Sequence, residues 1–217
     1  MQGTEKVRGI VLKAEPIGEY DRRVVLLTGE KGKIAAFAKG SRRQNSRLLA
    51  ATNPFCFGIF TIFHGRSSYS LGEAEISNFF ASLRDDFEAA FYGMYFLELI
   101  DYYTRENNDE RMMLNLIYQS LKALSHPSYD HRLVRYIFEI KALVLNGEYP
   151  GVSSYLPNEY AESTLFTLDY ISKTGIDKLY NFSVSPEVMI ELKEITDAFR
   201  HRFIDKTFKS LEILDNL

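Results

Sequence analysis

The spacing of hydrophobic residues changes near residue 78 and divides the chain into two parts. Before that point, short apolar runs with the length of β-strands are separated by turn residues. The predicted strands cover residues 7–12, 23–28, 33–38, 55–63 and 69–74. Five short strands within about 75 residues indicate a small barrel or a sandwich.

The second and third predicted strands form a hairpin with lysines at its tip. Residues 29–32, Gly-Glu-Lys-Gly, supply the turn, because glycine tolerates positive φ. On the returning strand, alternation places Ile34, Ala36 and Ala38 on one face. The tip therefore carries Lys31 and Lys33.

After residue 78 the apolar residues recur every three or four positions, which is typical of helices. The first helix is marked by a spacing of four through Phe87, Phe91, Tyr95 and Leu99, which predicts that these aromatic residues lie on one buried face. Further helices are predicted over residues 109–124, 130–145 and 186–206. Ser185 is the predicted N-cap of the last helix, with Pro186 at its first position. Residues 148–163 show no period and are expected to connect helices.

The composition is that of an ordinary globular protein, with 46% hydrophobic and 25% charged residues. A single cysteine, Cys56, excludes a disulfide framework and a four-cysteine zinc site. Its apolar neighbours predict a buried structural thiol. Neither a secretory signal nor a membrane-spanning stretch is found, so we expect a cytoplasmic protein without membrane contact.

Charge is also divided unevenly along the chain. Residues 1–80 contain 12 basic and 7 acidic side chains, whereas residues 81–217 contain 14 and 22. The first part is therefore basic although the whole chain has a formal net charge of -3. This asymmetry indicates two domains with different roles.

The strongest local signal is a basic segment, residues 31–47, that contains no acid. Its bases are Lys31, Lys33, Lys39, Arg42, Arg43 and Arg47. Such a segment in an acidic protein indicates a polyanionic partner, first of all a nucleic-acid backbone. A solvated surface without a partner is the simpler alternative. Weaker candidates on the same domain are Lys13, Arg22, Arg23 and Arg66.

The sequence contains no recognisable catalytic motif. The P-loop, the G-x-S-x-G elbow and the G-x-G-x-x-G fingerprint are all missing, and the four histidines lack a metal-ligand spacing. A nuclease would need carboxylates beside the basic segment, and none occurs between Lys31 and Glu73. We therefore predict a protein that is not an enzyme and binds neither cofactor nor metal.

Several short motifs follow one another in a fixed order. In the first part these are Gly9-Ile10-Val11-Leu12, Tyr20-Asp21, Leu27-Thr28, Gly32-Lys33, Ala38-Lys39-Gly40, Arg42-Arg43, Ser46 and Pro54-Phe55. The helical part adds Phe138-Glu139-Ile140-Lys141 and Lys209-Ser210. Their order and spacing resemble the RecO family of bacterial recombination mediators, most densely in the N-terminal part.

The resemblance implies an α+β protein with an N-terminal OB-fold, a small β-barrel, over residues 1–78. An all-α helical domain would follow over residues 79–217. Many family members carry a four-cysteine zinc module after the third helix. Residues 148–163 of this chain hold no cysteine there, so we expect the zinc module to be lost.

The resemblance also implies a function in DNA repair and recombination. Family members bind single- and double-stranded DNA, anneal complementary strands and help load recombinase onto strands covered by single-stranded-DNA-binding protein. The implied partners are DNA, RecR and the acidic tail of the single-stranded-DNA-binding protein, and the implied location is the nucleoid in the cytoplasm.

Two sets of site residues follow. The six bases of the basic segment are predicted to contact DNA phosphates; six contacts on a single strand would give a salt slope of about -4. For the acidic tail we predict Arg132, Arg135 and Lys141, on one helix beside Leu133 and Ile137. An alternative stays open, in which the chain docks an acidic protein partner and never touches DNA.

Overall fold

The computed structural model describes residues 3–65, 68–151 and 160–216. Five strands form a closed barrel in the order β1-β2-β3-β5-β4, which is the predicted OB-fold. They are β1 (Thr4–Ile17), β2 (Asp21–Thr28), β3 (Gly32–Ala38), β4 (Phe57–His64) and β5 (Tyr69–Asn78). Four of the five neighbouring pairs are antiparallel, and a short parallel contact between β3 and β5 closes the barrel.

Alternation along the strands separates the barrel interior from its outer surface. Ile34, Ala36 and Ala38 of β3 all point inward and are buried, as predicted. They meet Val11, Leu26, Phe60 and Ile62 from the neighbouring strands. Cys56 lies in the same core with no exposed surface, which confirms a buried thiol. Burial also raises the pKa of the Cys56 thiol.

The second part of the described chain is helical. Its helices are α2 (Phe87–Tyr103), α3 (Arg111–Leu124), α4 (His131–Asn146), α5 (Glu162–Lys173), α6 (Pro186–Phe203) and α7 (Lys209–Leu214), whereas the short helix α1 (Leu48–Ala51) lies between β3 and β4 of the barrel. Ser185 caps α6 by accepting a hydrogen bond from the Val188 N–H, as predicted. None of these helices is long and apolar enough to cross a membrane.

The sequence pattern missed three helices and misjudged one aromatic residue. The short helices α1 and α7 and the helix α5 were not predicted, and α5 begins inside the predicted connector. Of that connector, residues 152–159 lie outside the described part of the chain. Phe87, expected on a buried face with Phe91, is 61% exposed at the first turn of α2.

One outer face of the barrel is buried against the helices. Ile10, Leu12, Val25 and Leu27 point away from the barrel interior and join the core formed by the helices. Burial of each such side chain contributes about 1.5–3 kcal/mol. The two halves therefore share a hydrophobic core.

The hairpin tip between β2 and β3 extends this contact through its backbone. The Lys33 N–H donates to the Arg105 carbonyl at 2.9 Å, and the Lys31 carbonyl accepts from the Asn107 N–H at 2.9 Å. Gly32 has φ of 64°, and a Cβ there would collide with the Arg105 carbonyl. The tip is thus fixed against the loop that joins α2 to α3.

Candidate nucleic-acid interface

The basic segment is divided into two ends with different surroundings. At the hairpin tip, Lys31 pairs with Glu5 at 3.0 Å. Lys33 pairs with Asp101 of α2 at 3.1 Å, and Lys13 reaches the same carboxylate at 2.6 Å. Both tip lysines are largely covered, with about a quarter of each side chain exposed. Their charges are therefore already matched within the protein.

The pKa shifts agree with this pairing. Burial raises the pKa of Asp101, but hydrogen bonds from Lys13 and Lys33 outweigh burial and hold that pKa below its usual value. Hydrogen bonds from His64 and Lys31 lower the pKa of Glu5. The hydrogen bond to Glu5 raises the pKa of Lys31 in turn. The acid partners thus stay charged and hold the tip lysines.

The other end, which we call the basic loop, comprises residues 39–47. Its four bases, Lys39, Arg42, Arg43 and Arg47, are all exposed. Within the described part of the chain, no carboxylate forms an ion pair with any of them. The loop therefore presents a concentrated positive charge to solvent, which is what a phosphate backbone requires.

Backbone contacts fix the conformation of the basic loop. Gly40 has φ of 64°, and its N–H donates to the Asp21 carboxylate at 2.7 Å. The Arg42 N–H donates to the Tyr20 carbonyl at 2.8 Å, and its guanidinium donates to the Gly18 carbonyl at 3.1 Å. A charge-assisted bond such as that from Gly40 is stronger than a neutral one. The loop is thus held on the β1–β2 turn.

Side chains complete this support. The Arg43 guanidinium lies 5.2 Å from the centre of the Tyr20 ring, a cation–π contact that leaves the charge exposed. Arg22 donates to the Leu49 carbonyl at 2.9 Å and to Thr52 Oγ1 at 2.6 Å. Arg22 thereby ties β2 to α1, directly after the basic loop.

The weaker candidates have other surroundings. Lys13 and Arg22 are already bonded within the protein, to Asp101 and Thr52. Arg23 pairs with Glu15 at 3.5 Å on the exposed surface. Arg66 lies outside the described residues. The roles of Tyr20 and Asp21 escaped prediction, although both residues are among the family motifs. Only the fold shows that Asp21 faces Gly40.

The three bases predicted for an acidic tail are not brought together. Arg135 is 4% exposed and pairs with Glu139 at 2.8 Å, and Lys141 is 5% exposed. The Lys141 ammonium donates to the carbonyls of Ser172 and Thr174 at 2.9 and 2.8 Å. Only Arg132 is exposed, where it pairs with Asp130.

A groove lies beside Arg132 all the same. It has a volume of about 550 Å³ and is lined by apolar side chains that include Leu133, Ile137 and Phe182. Leu133 and Ile137 were expected beside the predicted site. The groove thus combines apolar side chains with Asp130, whose ion-pair partner Arg132 lies outside the groove's lining.

Comparison with known proteins agrees with the fold. The family described as recombination protein O N terminal matches residues 1–80. The family described as recombination protein O C terminal matches residues 84–155 and 156–212. The chain belongs to the RecO family of DNA repair proteins.

Individual RecO proteins are similar to this chain, two of them over nearly its whole length. The DNA repair protein RecO of Clostridium novyi is 29% identical, over 98% of this chain and 94% of its own length. That of Acetivibrio thermocellus is 27% identical, over 98% of this chain and 96% of its own length. That of Alkaliphilus metalliredigens is 34% identical, over 69% of this chain and 61% of its own length.

The comparison with Clostridium novyi RecO also shows a difference in length. Its alignment covers 240 positions, which is more than the 217 residues of this chain. The relative therefore carries residues that have no counterpart here. The loss of a zinc module would shorten the chain in this way, and it stays a prediction.

Proposed function

We propose that this chain binds single- and double-stranded DNA, anneals complementary strands and helps load recombinase onto strands covered by single-stranded-DNA-binding protein. One observation carries the proposal: four exposed bases, which pair with no carboxylate among the described residues, lie on one fixed loop of an OB-fold barrel. Membership in a family of DNA repair proteins supports it. No step in this function requires a covalent reaction.

The proposed mechanism is electrostatic. Phosphates of two strands repel each other, and bases on a fixed loop neutralise part of that repulsion while releasing counterions. Lys39, Arg42, Arg43 and Arg47 are the contacts we propose, because the charges of Lys31 and Lys33 are matched by Glu5 and Asp101. Four phosphate contacts on a single strand give a salt slope of about -3 rather than -4.

Annealing and binding together test this proposal. Fluorescence anisotropy with a short single strand should show affinity that falls steeply with salt, and mixed complementary strands should pair faster with the protein present. Replacing Arg42, Arg43 and Arg47 by alanine should flatten the salt slope by about 2. A wild-type protein that binds no DNA at low salt would refute the proposal and favour an acidic protein partner.

We further propose that the chain works with RecR and with the acidic tail of the single-stranded-DNA-binding protein. The apolar groove supports the tail contact, since Leu133 and Ile137 line it and its lining residue Asp130 pairs with the exposed Arg132. Arg135 and Lys141 could take part only after leaving their internal partners. Removing a buried charge from its partner is costly, so Arg132 is the base we assign to first contact.

Calorimetric titration with the tail peptide tests this second proposal. Arg132→Ala should weaken tail binding, and so should Ile137→Ala, because Ile137 lines the groove. Lys193→Ala is a suitable control, because Lys193 is an exposed base of α6 that pairs with Asp197. Equal binding by wild type and Arg132→Ala would contradict the assignment.

A further inference from the structure

A second groove lies on the helical half, along the outer side of α5. One of its walls is the solvent-facing side of α5, and the other is the segment 182–188, which leads into α6. Its volume is about 670 Å³, within the range of about 300–1,000 Å³ for clefts that hold ligands. We call it the α5 groove. Phe182 lines both this groove and the one beside Arg132, so the two are neighbours.

The outer side of α5 carries an apolar side chain where a helix of this kind normally carries polar ones. Thr164, Leu168 and Ile171 face the core and are fully buried. Phe166 lies on the opposite side of the helix and is 70% exposed. That is the highest exposed fraction of any large apolar side chain in the described part of the chain. The core therefore does not account for Phe166.

Phe166 belongs to a larger apolar surface. Tyr170 follows one turn later on the same side of α5 and also lines the groove. The Tyr170 ring packs edge-to-face against Phe182, with 5.2 Å between the ring centres. Val188 of α6 lines the groove from its buried side and is 2% exposed. Such a continuous apolar surface beside a groove indicates an interaction site, and its shape suits the apolar face of an amphipathic helix.

The charges around the α5 groove are acidic. Among the described residues that line it, Glu162 alone is charged, and it is exposed. Glu187, in the first turn of α6, is exposed as well. Glu191 reaches the start of α5, where its carboxylate accepts a hydrogen bond from the Ala161 N–H at 3.1 Å. These acids repel phosphates and would repel the same surface of a second copy, whereas they attract lysine and arginine side chains.

We propose that the α5 groove binds a short amphipathic segment of a partner protein that carries apolar and basic side chains. The apolar side chains of this segment cover Phe166 and Tyr170, and its bases lie beside Glu162. The site differs from the proposed contact with the acidic tail, for which the base is Arg132. The inference goes beyond the proposed function and needs no DNA, so either can fail without the other.

A designed peptide tests the shape and the charge of the groove together. The probe is a fluorescein-labelled helical peptide with leucines spaced three and four apart and lysines at its other positions. Fluorescence anisotropy should show that it binds the wild type and that the affinity falls with salt. Phe166→Ser should weaken binding by about ten-fold or more, the usual effect of losing a central aromatic contact. Glu162→Lys should also weaken binding, and more at low salt than at high salt.

Matched controls separate this site from other apolar surface. Phe87→Ser removes a phenylalanine of similar exposure, 61% against 70%, outside the groove, and should bind the peptide as wild type does. A peptide with glutamates in place of its lysines should bind the wild type far more weakly. Urea unfolding should give Phe166→Ser the stability of the wild type, because most of the Phe166 ring is exposed.

Several results would overturn the proposal. The site is refuted if the wild type does not bind the lysine peptide, or if Phe166→Ser binds it equally well. Equal losses in Phe166→Ser and Phe87→Ser would show unselective binding to apolar surface and refute it too. A loss of stability in Phe166→Ser would mean that this chain covers the groove itself. Self-association of the wild type that Phe166→Ser abolishes, seen by analytical ultracentrifugation, would place a second copy there instead of a basic partner.

Discussion

The two ends of the basic segment look equivalent in sequence but have different surroundings in the structure. Lys31 and Lys33 at the hairpin tip meet Glu5 and Asp101 and are largely covered. The bases of the basic loop, residues 39–47, meet solvent. The difference arises from acids that lie far away along the chain. A run of like charges is therefore not one site, and the fold decides which of its members can bind a partner.

The largest expected effect is a loss of stability on replacing Gly32, at the hairpin tip, compared with Gly40, in the basic loop. Gly32→Ala should lower the free energy of unfolding by about 3 kcal/mol, because positive φ and a collision with the Arg105 carbonyl act together. Gly40→Ala has the same φ but only ordinary contacts with Arg43, so about 1 kcal/mol is expected. Urea unfolding measures both. Equal losses would mean that the tip is not fixed against the helical domain.

A smaller loss of stability is expected on replacing Asp101, the carboxylate that pairs with two lysines. Asp101→Asn should cost about 1–2 kcal/mol at neutral pH, because Lys13 and Lys33 lose a charged partner and are partly exposed. Since the folded state lowers the pKa of Asp101, its contribution is complete above the ordinary value of 3.8. The contribution is lost as pH falls through the lowered pKa.

The pH dependence supplies the control for that variant. Unfolding of the wild type should show a loss of stability on acidification that is smaller in Asp101→Asn. Lys173→Ala, which removes an exposed pair with Asp169, should keep the wild-type profile. Identical acid profiles for wild type and Asp101→Asn would show that the interface does not depend on this carboxylate.

The basic loop gives the next prediction, through its support from Asp21. Asp21→Ala removes the acceptor for the Gly40 N–H and should weaken DNA binding by about five-fold, the equivalent of one hydrogen bond. Asp21→Asn keeps an acceptor oxygen and should retain most of the affinity. Anisotropy with a single strand measures both. If the two variants bind alike, the positioning role of Asp21 is wrong.

The smallest effect is expected at Glu5. Glu5→Gln releases Lys31 and His64 from an exposed carboxylate, which should change stability by less than about 1 kcal/mol. DNA affinity should rise by less than about two-fold, because Lys31 stays at the domain interface. A large gain in affinity on a filter-binding assay would show that Glu5 alone keeps the tip from DNA.

Much of the fold could be predicted from the sequence. Short apolar runs between turn residues predicted all five strands, and the helical spacing of apolar residues, with the Ser185 N-cap, predicted α2, α3, α4 and α6. The helix α5 was missed because its apolar positions follow a stretch rich in Pro and Gly. Phe87 was misplaced because it stands at the first turn of α2, where the helix face is open to solvent.

The candidate site was less predictable than the fold. Charge density located the basic loop, but the partners Glu5 and Asp101 are brought to the tip only by strand pairing and domain packing. Arg132 and Arg135 have the three-residue spacing of one helix face, yet Arg135 is buried and bonded to Asp197 of α6. Lys141 is buried against Ser172 of α5. Local spacing does not show which side of a helix another element covers.

The central claim is that the basic loop, and not the hairpin tip, contacts phosphate. Two double variants that each remove two positive charges test it: Arg43→Ala with Arg47→Ala, and Lys31→Ala with Lys33→Ala. The measurement is the slope of log affinity against log salt on one single strand. We predict that the loop variant flattens the slope by about 1.4 and that the tip variant leaves it unchanged. A flatter slope for the tip variant, with the loop variant unchanged, would contradict the account.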